Sequence, residues 1–62
     1  MIEQIFIFWL LSPDDIPTRF YQTFDDTWNE ERRKNYIRDI SSYPNFVGYH
    51  LYNVSLVSFE IK

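Results

Sequence analysis

Seven consecutive apolar residues, Ile5-Phe6-Ile7-Phe8-Trp9-Leu10-Leu11, constrain this chain more than any other feature. They are β-branched, aromatic or leucine, and they run into the turn formers Ser12-Pro13-Asp14-Asp15, which is the pattern of a strand. The run is far short of the roughly 20 residues a bilayer requires. Side chains alternate along a strand, so Phe6, Phe8 and Leu10 project one way and Ile5, Ile7, Trp9 and Leu11 the other. Both faces are therefore apolar. Such a strand is central in its sheet, or one of its faces meets another molecule.

The length sharpens the problem. A chain of 62 residues forms one small domain, residues 1–62, whose core supplies only about 3 to 5 kcal/mol. With no cysteine there is neither a disulfide framework nor a thiolate metal site to add to it. The compensating resource is aromatic: Phe, Tyr and Trp make up 21 % of the residues, and each can bury roughly 150 to 250 Å². Hydrophobic content of 45 % is that of a folded chain rather than a disordered one.

Beyond the first strand, a proline at 17 limits any helix opening at Ser12 to one short turn. Residues 18–25 fit two periods. Phe20, Gln22 and Phe24 share one face of a strand, while Phe20, Phe24 and Trp28 are spaced by four as on a helix; a second strand pairing back on the first is the preferred reading. Thr27-Trp28-Asn29-Glu30 matches a capping box and predicts a helix from Trp28 to Ser42, ended by Pro44. Trp28, Tyr36, Ile37, Ile40 and Tyr43 form its apolar stripe, and Glu30 and Lys34 stand in the favoured i,i+4 order. Arg32 and Arg33 fall inside the apolar arc, where their stems can cover hydrophobic surface or their heads can hold an acidic group. From residue 45 onward strand character returns, as one bent strand or as two joined near Asn53. Val47, Tyr49 and Leu51 share one parity with Val57, Phe59 and Ile61; Phe46, His50, Tyr52, Val54 and Leu56 share the other.

The expected fold is α+β: a small antiparallel sheet of three to four strands in the order β-β-α-β, the last either whole or split, with one helix packed on one face. One helix covers one face, and the strands offer large apolar side chains to both. An uncovered apolar face of several hundred Å² marks an interaction site, and hiding about 400 Å² is worth on the order of 10 kcal/mol gross. The alternative is that the loop from Ser12 to Thr18, carrying Ile16, folds over the second face.

Chemistry is narrowed mainly by exclusion. The single histidine, His50, lies mid-strand and reads as structural, and one glycine, Gly48, cannot build a phosphate-cradling loop. Asp14-Asp15, Asp25-Asp26 and Glu30-Glu31 are adjacent pairs, unlike the spaced ligands of a calcium loop. No enzyme activity, metal or cofactor is expected. A net charge of −3 and a pI near 4.8 argue against direct nucleic-acid binding. No alanine, one glycine and an excess of Phe, Tyr, Ile and Asn indicate an AT-rich gene, which fits a bacteriophage or other mobile element and equally an AT-rich bacterial chromosome. Glu3 stands where a secretory signal would carry positive charge, so a cytoplasmic, soluble protein is expected.

The function read from these features is a small non-enzymatic protein-binding module, phage or mobile-element encoded, that docks on a host protein and inhibits or redirects it. Its contact residues would be Ile5, Ile7, Trp9, Tyr49 and Tyr52 for affinity, with Asp14, Asp15, Asp25, Asp26 and Glu30 as an orienting acidic rim. A homo-oligomeric assembly protein is the first alternative. An acidic DNA mimic that occupies the basic groove of a nucleic-acid enzyme is the second.

Overall fold

A computed structural model describes residues 1–54. It contains β1 (Ile2–Leu11), β2 (Pro17–Asp25), α1 (Glu30–Ser41) and β3 (Phe46–Asn53). The sheet order is β2-β1-β3, with β1 antiparallel to both neighbours. The apolar run is thus the central strand, the α+β arrangement holds, and residues 18–25 are strand. The continuation through Val57, Phe59 and Ile61 lies outside the described residues.

The hairpin between β1 and β2 follows from its turn chemistry. Pro13 sits at the second position of a β-turn closed by the Asp15 amide donating to the Ser12 carbonyl at 2.9 Å, a position that suits its fixed φ. Asp15 adopts φ 60, a left-handed conformation that Asp tolerates better than most residues. The Ser12 hydroxyl accepts from the Asp14 and Ile16 amides, both at 3.3 Å. Ile16 is 60 % exposed, so this loop does not seal the second face.

Strands β2 and β3 both oppose β1 and are therefore parallel to each other, and α1 is the crossover that joins them. A crossover of this kind passes over one face of the intervening strand, which is why the helix lies against the even-numbered side chains of β1. Phe6 and Phe24 are completely buried there, Phe8 and Ile40 nearly so, with Leu10, Trp28, Tyr36, Ile37 and Phe46 packed around them. The rings of Phe6 and Phe24 stack 6.1 Å apart, and Tyr36 meets both edge-on. Burial raises the Tyr36 phenol above its ordinary pKa. Tyr43 lies past the helix end and is 47 % exposed, so it is not part of the stripe.

The helix begins two residues later than the capping box implies. Asn29 is the N-cap, its side chain accepting from the Arg32 amide at 2.7 Å. Thr27 is engaged by Asp25, which accepts from both the Thr27 amide and its hydroxyl. Those bonds hold the Asp25 carboxyl below its ordinary pKa. Asn29→Ala should therefore lower stability by about 1 kcal/mol in urea denaturation, the usual cost of a lost N-cap.

The two arginines divide their work. Arg32 lies over the Trp28 ring, 3.8 Å from its centroid. Arg33 reaches back to the sheet and donates to Glu3 at 2.8 Å, Gln4 at 2.9 Å and the Asp25 carbonyl at 2.7 Å. Its pairing with Glu3 is the ion pair found among the described residues; Glu30 and Lys34 do not pair. Arg33→Ala leaves the partly buried Gln4 side-chain oxygen without its donor, while the Asp25 carbonyl keeps the Trp28 amide at 3.1 Å, and should cost about 1 to 3 kcal/mol. Arg32→Ala should cost less than about 1 kcal/mol, since its contact is exposed; paired thermal melts check the difference.

Candidate functional site

Cross-strand register defines what occupies the side of the sheet away from the helix. Ile5 stands opposite Thr23 and Tyr52, Ile7 opposite Tyr21 and His50, and Trp9 opposite Arg19 and Gly48. These three rows of odd-numbered β1 residues and their partners form one continuous face, extended by Leu11 opposite Pro17. Ile5, Ile7, Trp9 and Leu11 are half-buried by their neighbours in the sheet. Tyr21 is 72 % and Tyr52 43 % exposed. Among the described residues, no helix or loop lies over this face.

The anchors named from sequence are therefore not all together. Ile5, Ile7, Trp9 and Tyr52 share the helix-free face. Tyr49 pairs with Phe8 and its ring lies 5.4 Å from Phe6 and 6.3 Å from Phe46, so it belongs to the helix side. Its place is taken by Tyr21, which sequence analysis passed over because β2 was not securely a strand; the alternation that puts Phe20, Gln22 and Phe24 on one face puts Tyr21 on the other.

The acidic residues do not form a single rim. Asp14 and Asp15 occupy the hairpin turn after Leu11, whereas Asp25, Asp26 and Glu30 lie at the opposite end of the sheet, where Asp25 pairs with Ile2. The length of β2, nine residues at about 3.3 Å each, separates the two groups. On the face itself Arg19, opposite Trp9, carries charge, and the Asp25 carboxylate at the far end of β2 is engaged by Thr27. His50 is exposed, with its ring 4.3 Å from that of Tyr52.

Gly48 is the one position in the face without a side chain. A Cβ added there would meet nothing within 4 Å, so the face carries a hollow beside Trp9. The described residues contain no group of three or more His, Cys, Asp and Glu that could hold a metal ion, and no helix long and apolar enough to cross a membrane. Set against family models, curated proteins and solved structures, the chain gives no match.

Proposed function

We propose that this chain is a non-enzymatic protein-binding module whose working surface is the helix-free face of its sheet, and that it acts by docking on a cellular protein and blocking or redirecting it. The observation that supports this reading is the one-sided placement of α1, which leaves Ile5, Ile7, Trp9 and Leu11 flanked by Tyr21 and Tyr52 without cover among the described residues. Tyrosine and tryptophan on a flat apolar patch are the side chains that carry most binding energy at protein interfaces. The AT-rich composition supports a bacteriophage or mobile-element origin, which makes a host protein the natural target. The DNA-mimic reading draws less support, since its carboxylates fall at two separate ends.

Affinity capture with the tagged chain, run beside a Tyr21→Thr/Tyr52→Thr double variant, tests this proposal. A host protein retained by the parent and lost with the variant is the expected result. Equal retention by both would place the working surface elsewhere.

A further inference from the structure

We infer that Gln22, with Pro17 and Arg19, guards the outer edge of β2 against the addition of a further strand. In the order β2-β1-β3, β2 is paired on one side only, and the backbone N–H and C=O groups along a free edge are a template for another chain. Which groups lie on that edge follows from the register. The Ser12 amide donates to the Ile16 carbonyl at 3.0 Å, so these two residues face each other as a hydrogen-bonded pair. From there the pairing runs without a shift through Leu11 opposite Pro17 to Gln4 opposite Phe24, and bonded pairs alternate with non-bonded ones along an antiparallel ladder. Thr18, Phe20, Gln22 and Phe24 thus turn their backbone groups toward β1, and Pro17, Arg19, Tyr21 and Thr23 turn theirs outward. Leu11 agrees with this phase: its amide donates to the Asn45 carbonyl and its carbonyl accepts from the Asn45 side chain, both at 2.8 Å, away from Pro17.

The outward row is blunted at both ends and charged between them. Pro17 has no N–H to offer, which is why a proline is tolerated at this position of a strand. At the other end the Thr23 carbonyl already accepts from Gln22 Nε2 at 2.8 Å. Beyond it the Asp25 carbonyl accepts from the Trp28 amide and from Arg33. Arg19, exposed between the two ends, puts a cation where an added strand would lie, and charge on an edge strand discourages pairing. Among the described residues of the row, Tyr21 is left with both backbone groups free and a neutral side chain.

This accounts for a glutamine in an aromatic row. Gln22 shares its side of β2 with Phe20 and Phe24 and stands opposite Phe6, half-buried, where an apolar side chain would pack as well. Its amide supplies what such a residue lacks, a donor that reaches the strand's outer edge. Phe20 and Tyr21 are 44 % and 72 % exposed on the two sides of β2, a composition that favours strand pairing between copies unless the edge is blocked. The guard is independent of what docks on the helix-free face.

Gln22→Met and Arg19→Thr, singly and combined in the full chain, test the inference. Methionine keeps the length of glutamine without its donor, and threonine is a strand former without charge; urea denaturation will register that each variant remains folded. In sedimentation velocity the combined variant should associate at a concentration at least about tenfold below that needed by the parent, since the freed carbonyl and the lost charge act in both copies. Amide hydrogen exchange locates the contact: the Arg19, Tyr21 and Thr23 amides, exchanging fast in the dilute parent, should become protected in the associated variant. A folded combined variant that associates no more readily than the parent overturns the inference. So does protection that appears at Tyr49 and Leu51 of β3 in place of β2, or a parent chain that itself protects the three β2 amides on concentration. If the combination fails to fold, the two single variants are held to the same comparison, each expected to associate more readily than the parent. The functional reading fails separately, through capture that does not depend on Tyr21 and Tyr52.

Discussion

Phe6→Ala should leave the chain unfolded at 25 °C. Phe6 is completely buried at the centre of the aromatic cluster, its ring 5.0 Å from Phe8, 6.1 Å from Phe24, 6.0 Å from Tyr36 and 5.4 Å from Tyr49. Truncating a buried phenylalanine costs about 3 to 5 kcal/mol in lost transfer energy and residual cavity. A domain of this size has about that much stability in total. Four rings lose their common partner at once, and neither a disulfide nor a described metal site holds the remainder together. Near-ultraviolet circular dichroism should show the aromatic signal lost, with no cooperative transition in urea. A variant that kept a sigmoidal transition within about 1 kcal/mol of the parent would mean that the core lies elsewhere.

Tyr21→Thr combined with Tyr52→Thr should have the opposite profile, leaving the fold in place while removing association. Both tyrosines project from the outer strands onto the helix-free face, and both are substantially exposed. Threonine is itself a good strand former, so the change should alter stability by less than about 1 kcal/mol. Aromatic side chains on a docking surface carry an outsized share of the affinity, and losing two of them should weaken association by about a hundredfold or more. Denaturation midpoints beside retention of the partner in affinity capture separate the two effects. Unfolding of the variant would show that the face is part of the core, and unchanged association would show that it is not a docking surface.

The contrast between these two substitutions reflects what could be read from sequence. The absence of alternation in Ile5–Leu11 implied a strand with two apolar faces, either central or in contact with another molecule, and a single helix implied cover for one face; that β1 is central and that the Ser12–Thr18 loop leaves Ile16 exposed came only with the structure. The helix itself was legible because Tyr36, Ile37 and Ile40 recur at helical spacing. Its start was not, because two polar residues competed for it. Thr27 has the better motif, with Glu30 three residues on, but Asp25 lies two residues earlier and takes the Thr27 amide and hydroxyl into a turn, so Asn29 is left to cap.

Register was the larger gap. Alternation assigns residues to one parity or the other within a strand, but it does not say which parity of β3 faces the helix. Only the pairing of Tyr49 with Phe8 and of Tyr52 with Ile5 decides that, and pairing is set by the whole fold. Arg33 was obscure for the same reason. Its partners Glu3 and Gln4 lie 30 and 29 residues away in the chain, where local spacing gives no hint of them.

The openness of the helix-free face is most directly measured at Trp9. The chain has two tryptophans, and Trp28 packs against Phe24 with ring centroids 4.9 Å apart, a place that phenylalanine can fill. In the Trp28→Phe chain, all indole emission comes from Trp9. Acrylamide quenching of that emission, at a concentration where the chain sediments as a monomer, should show Trp9 open to the quencher. Trp9 shielded from the quencher like a core tryptophan, in a chain that sediments as a monomer, would mean that the isolated molecule covers this face by itself and offers no surface for a partner.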